Sequence, residues 1–190
     1  MIKPRNFWPI ILFLWPALAA AQEMVVPMNV QVPLLLKILR FNRTQQFKTA
    51  DELVIGIVYQ GKFRTSLNLK DEFMKEIGNS SSARHYHKPI RCLPIDLGDG
   101  GDLAGAMAGV NVDVLYVTPL RAVAMETIAG VSRAKKIVTL TGVPDYVESG
   151  LAVGTDAKGG KPLIVINVTA AKAEGADFSS QLLKMSKVIE

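Results

Sequence analysis

Four short, almost wholly apolar runs constrain this chain most: residues 53–59 (LVIGIVY), 90–97, 112–117 (VDVLYV) and 136–140. Runs of this length, rich in β-branched side chains, read as strands buried on both faces. Such strands need helices over each face, and parallel neighbours need a crossover between them. The intervening segments supply both. Val30, Leu34, Leu35, Ile38, Leu39 and Phe41 recur at helical spacing, which predicts a helix over 30–41. Pro33 is expected near its first turn, where a missing N–H costs nothing. A second helix is expected over 67–77, then a loop of Gly78, Asn79, Ser80, Ser81 and Ser82. Pro94 cannot donate to a ladder, so the 90–97 strand belongs at a sheet edge.

The second half alternates in the same way. The glycine and aspartate loop 98–102 leads into a short Ala-rich helix, 103–108. Thr118 followed by Pro119 reads as a helix start, with Thr as cap and Pro at the first helical position, and Gly130 as the stop. Residues 143–147 form a turn or short helix. Residues 151–154 and 163–168 flank Lys158, Gly159 and Gly160, the layout of an antiparallel hairpin. A short helix begins at 170–173, and Leu182, Leu183, Met185 and Val188 mark an amphipathic last helix. The fold class is therefore α/β: one doubly wound, mostly parallel sheet with helices on both faces, an antiparallel C-terminal hairpin closing one edge, and a terminal helix. Ligands of such sheets sit outside the carboxyl ends of the strands. Here that makes Lys62, Arg64, Thr118 and Thr141 the candidate ligand or partner face.

Lys3 and Arg5, an apolar run over 7–18 and then Ala19, Ala20 and Ala21 have the three-part layout of a secretory signal peptide, with cleavage expected after Ala21. The run is shorter than a membrane-spanning helix needs, and Pro9 and Pro16 interrupt it, so no membrane insertion is expected of the mature chain. Residues 22–190 then suit one exported domain. The net charge of +5 includes Lys3 and Arg5, and residues 1–21 hold no acid, leaving +3. Lys135 and Lys136 are the only adjacent basic pair, which does not match the clustered footprint of a nucleic-acid binder. A lone cysteine closes no internal disulfide; Cys92 reads as a buried small hydrophobe, the alternative being a free thiol that crosslinks two chains.

Each chemical motif has a plainer reading. His85 and His87, two residues apart, could join Cys92 as three metal ligands, but no fourth is placed, and a polar loop explains the histidines. Asp96, Asp99 and Asp102 among glycines miss the alternate spacing and closing Glu of a calcium loop, and read instead as an acidic turn capping the next helix. Ser179 and Ser180 lack a nucleophile elbow or paired His and read as a helix cap. Neither GxGxxG in register nor GK[ST] is present. No enzyme and no cofactor is expected.

The stretch VESGLAVGTDAKGGKPLIVINVTAAKAEGADFSSQLLKMSKVI resembles the end of YfiR-like (YfiR/HmsC-type, DUF4154) periplasmic proteins. There a glycine-bearing strand, a strand ending in Asn, an Ala-rich turn, a Gly and a Ser-Ser-x-Leu-Leu helix follow one another. The matching positions include Gly150, Asn167, Gly175, Ser179, Ser180, Leu182 and Leu183. The resemblance implies a regulatory protein that docks on the periplasmic sensor region of an inner-membrane diguanylate cyclase and represses it, controlling cyclic di-GMP and biofilm formation. Self-association as a homodimer is left open. The competing expectation, from the strand ends alone, is a periplasmic receptor of single-lobe type for a small anionic solute, held by Thr118, Thr141 and backbone amides.

Overall fold

The computed structural model describes residues 24–44 and 51–190. In chain order these residues form α1 (Met28–Arg40), β1 (Leu53–Tyr59), α2 (Arg64–Asn79), α3 (Ser81–Arg84), β2 (Ile90–Asp96), α4 (Leu103–Ala106), β3 (Val114–Val117) and α5 (Met125–Lys135). Then come β4 (Val138–Thr141), α6 (Pro144–Glu148), β5 (Val153–Lys158), β6 (Lys161–Asn167), α7 (Val168–Ala173), α8 (Ser180–Lys184) and β7 (Lys187–Ile189). The predicted export segment, 1–21, lies outside the described residues. No helix among them is long and apolar enough to cross a membrane.

The strands make one sheet in the order β2-β1-β3-β4-β5-β6-β7, parallel except for the β5–β6 pair. This is the doubly wound α/β architecture that the apolar runs predict. β2 is an edge, as Pro94 requires. Gly159 and Gly160, at φ +58° and +75°, make the two-residue turn that joins β5 to β6, since that turn type needs positive φ at both positions.

Each face carries its own core. On one, Leu35 and Ile38 of α1, Phe73 of α2, Ala170 of α7 and Leu182 of α8 cover Ile55, Tyr116, Leu140 and Ile166. The Phe73 and Tyr116 rings stack there with centroids 4.1 Å apart. On the other, Leu103, Met107, Ile128 and Tyr146 cover Val58, Leu115 and Val117.

Five local expectations are corrected. Helix α1 starts at Met28, so Pro33 lies inside it rather than in its first turn. The carbonyl of Asn29 thereby loses its helical donor, but Asn29 is exposed and water can replace it. The serine run winds into the one-turn helix α3 instead of a loop. Thr118 and Pro119 do not start a helix; α5 begins at Met125, because the Thr118 hydroxyl is bonded to the Val58 carbonyl instead of an amide of a following turn. Gly130 does not end α5, which continues to Lys135 and stops at Lys136 in the left-handed conformation. An exposed helical Gly costs only about 1 kcal/mol, which tertiary packing overrides. Finally, α8 is short, and Val188 belongs to β7, which pairs in parallel with β6 and closes the edge that the hairpin was expected to close.

Candidate functional site

The strand order reverses between β1 and β3, so the crevice at their carboxyl ends is where this architecture places a ligand. The protein fills it with its own side chains. Gln60, the residue after β1, is 6% exposed, and its amide nitrogen donates to the carbonyls of Gly98 at 3.3 Å and Arg121 at 3.1 Å. Its Oε1 accepts from the Arg121 amide at 2.7 Å. One side chain thus stitches together the loops after β1, β2 and β3. The loop after β3 is held tightly enough to keep Ala122 at φ +54°, which costs a non-glycine residue about 1 kcal/mol.

Thr118 and Thr141 are both fully buried, and each hydroxyl is spent internally. Thr118 Oγ1 donates to the Val58 carbonyl at 2.9 Å and accepts from the Ser66 hydroxyl at 2.7 Å. Thr141 Oγ1 donates to the Val117 carbonyl and accepts from the Val143 amide. Beside them the buried Gln31 of α1 is bonded to the Tyr116 hydroxyl. It leans on Gly142 so closely that a Cβ there would sit 2.4 Å from its amide nitrogen. Lys62 and Arg64 point outward at this end. Lys62 pairs with exposed Asp99, whose hydrogen bond raises the lysine pKa. Arg121 lies over the Phe63 ring at 4.0 Å, giving the rim a basic character.

An open groove of about 550 Å³ lies elsewhere, between α1 and α3 with Pro162 of β6 at its border. Val30, Pro33 and Leu34 give it an apolar wall, Lys37, Arg40 and His85 are its basic members, and among the described residues no Asp or Glu lines it. Arg40 is fixed: its guanidinium donates to the His85 carbonyl at 2.6 Å and lies 5.3 Å from the centre of the Tyr86 ring.

His85 Nδ1 is 2.8 Å from the Ser81 carbonyl, while the His87 ring packs beside Tyr86, at 4.5 Å between centroids. Cys92 lies half-buried in β2, and burial pushes its thiol up to about 11. Among the described residues no three His, Cys, Asp or Glu side chains form a group that could hold a metal. Asp102 caps α4 through the Gly105 amide, and Asp96 accepts from the amides of Gly61 and Gly98.

The C-terminal motif residues all have structural work. Asn167 caps α7 by accepting from the Ala170 amide at 2.8 Å and donates to the Val147 carbonyl. Ser179 caps α8 by accepting from the Leu182 amide, and Ser180, exposed, is the first residue of that helix. Gly150 and Gly175 occupy φ of +107° and +85°, and their carbonyls accept from Arg133 and Thr44. Leu182 is 1% exposed, and Leu183 packs partly buried against the same core.

Glu174, just after α7, escapes a reading of the sequence. It is fully buried and accepts from the Thr139 amide at 2.7 Å, with the hydroxyls of Thr139 and Ser132 at 2.9 and 2.8 Å. Burial raises its pKa from 4.5 to about 7 against the opposing pull of these bonds and of Arg133. Gln31 and Gln60 likewise carry no signal in sequence. The stripe of Val30, Leu34 and Lys37 on one helical face was visible, but periodicity assigns its apolar members to the core.

Fold and site together define a doubly wound α/β domain whose strand-end crevice is filled and whose open surface features are a basic rim and a basic-apolar groove. The chain belongs to the YfiR/HmsC-like family (DUF4154), whose model matches residues 28–187. No protein of curated function matches it. Among solved structures it is similar to the ABC domain in complex with L-Trp from Streptococcus pneumonia, with a TM-score of 0.59 and 16% identity. It is also similar to a conserved domain protein from Vibrio cholerae O1 biovar eltor, with a TM-score of 0.60 and 16% identity. Each match covers 86% of this chain but 60% of the other, so this chain spans under two thirds of their length. At that identity they show the fold alone.

Proposed function

We propose that this chain is exported with cleavage after Ala21. In the periplasm it docks on the sensor region of an inner-membrane diguanylate cyclase and holds the enzyme inactive. The observation that carries the reading is the family match over residues 28–187. The physics asks little of such a regulator: binding one state of a two-state partner better by about 1 to 3 kcal/mol shifts its output severalfold or more.

The filled crevice supports a macromolecular partner over a small anionic solute. A solute receptor would need the hydroxyls of Thr118 and Thr141, and both are committed to strand carbonyls. Lys62, paired with Asp99, and the exposed Arg64 stand at the rim outside that crevice.

Deleting the gene tests the proposal. Cellular cyclic di-GMP and surface attachment should rise, and deleting the cyclase as well should abolish the rise. An unchanged nucleotide level across several growth conditions would refute it.

A further inference from the structure

We infer that the groove between α1 and α3 is the docking site for an apolar segment flanked by Asp or Glu on the cyclase sensor region. This rests on the regulatory reading above and specifies the surface and the chemistry of its partner.

Three features lead there. The groove's about 550 Å³ suits a few inserted side chains of a partner, and its apolar wall stands open. Val30 is 39% exposed, one of a few large apolar side chains so placed among the described residues. Its charge has one sign: Lys37 and Arg40 line it, Arg84 is exposed on the same short helix as Ser81 and Ser82, and among the described residues no acid answers them within the lining. Among the described residues Lys37 makes no side-chain hydrogen bond or ion pair, whereas Lys62, Arg43, Arg91 and Lys187 are paired. A free cation beside an open apolar wall complements an acidic, apolar segment, because complementary charge steers the encounter and suppresses wrong partners. A basic or neutral polar segment would leave the wall unfilled and the cations repelled or unanswered.

Arg40 is unsuited to a test, since its loss would also disturb Tyr86 and the chain at His85. Val30→Asp with Lys37→Glu changes two exposed positions and reverses the groove's character. Arg64→Glu, on the exposed strand-end rim, is the competing variant. Each is returned to the deletion strain, with its periplasmic level and melting temperature measured. The cyclase is the one whose deletion abolishes the rise in cyclic di-GMP, and its tagged sensor region is used for copurification.

The groove pair should copurify about tenfold less sensor region or lower still, and leave cyclic di-GMP at the deletion level. Arg64→Glu should behave as wild type. Full repression by the groove pair overturns the groove while leaving the regulatory reading intact. Loss of repression with Arg64→Glu alone moves the docking face to the strand ends. If deletion itself leaves cyclic di-GMP unchanged, the regulatory reading fails first and the groove's assignment with it.

Discussion

The carboxyl group of Glu174 accepts a hydrogen bond from the backbone amide of Thr139 at 2.7 Å, tying the segment after α7 to the first half of β4 without an ion pair among the described residues. Ser132 Oγ is within bonding distance of both Glu174 and the Ala129 carbonyl but has one proton to give. That proton is divided between the two acceptors, so it answers a Glu174 charge only in part. The geometry therefore agrees with the raised pKa of about 7.

Stability should fall as pH rises through this window. Between 4.5 and about 7 the folded protein keeps the Glu174 proton that the unfolded chain has already released, so each pH unit favours unfolding until both states are ionised. The contribution is fully present below 4.5 and lost above about 7. Its size is about 3 kcal/mol. Urea unfolding of wild type at pH 5 and pH 8, beside Glu174→Gln, measures it: the variant should show the flatter dependence. Equal slopes would assign the pH dependence elsewhere.

At the C-terminus the two leucines should separate. Leu182→Ala removes a fully buried side chain and should cost about 2 to 5 kcal/mol. Leu183→Ala, only partly buried, should cost less than half as much. Thermal and chemical unfolding of both variants decides the order.

Gly142 and Gln31 should be coupled. A Cβ at 142 would drive the Gln31 amide from the pocket where it meets Tyr116, costing about 1 to 3 kcal/mol as an overpacked site. Gly142→Ala combined with Gln31→Ala should then cost clearly less than the two single changes together, as a double-mutant cycle would record.

Cys92→Ser should change stability by about 1 kcal/mol or less and leave regulation intact. The thiol is half-buried and, with its pKa pushed up to about 11, protonated at neutral pH. Folded wild type should accordingly react slowly with a thiol reagent and quickly in urea. Loss of repression in the variant at wild-type stability would assign the thiol a role between chains.

The parts of the fold set by apolar burial were legible. β1 was bounded to the residue, and Pro94 located its edge strand, because strands buried on both faces leave continuous runs. Features decided by tertiary partners were not. Thr118 and Pro119 carry a cap pattern, yet Ser66 and Val58 claim the hydroxyl. Gly130 is a local stop signal that neighbouring Ile128, Ala129 and Ser132 override by burying the helix. Val188 has helical spacing from Met185, but the free edge of β6 draws it into a strand. The strand-end site could be placed from the alternation of elements. That Gln31 and Gln60 would fill it could not, since nothing local distinguishes a glutamine that bonds two distant loops from one on the surface.

Binding between the purified mature chain and the isolated periplasmic sensor region of the cyclase, read by calorimetry alongside the rate of cyclic di-GMP synthesis by the full-length enzyme in membranes, tests regulation by docking most directly. The account predicts a saturable complex and a synthesis rate that falls as the complex fills. Absence of heat and an unaltered rate at saturating protein, with a small anion instead bound tightly by the chain alone, would contradict it.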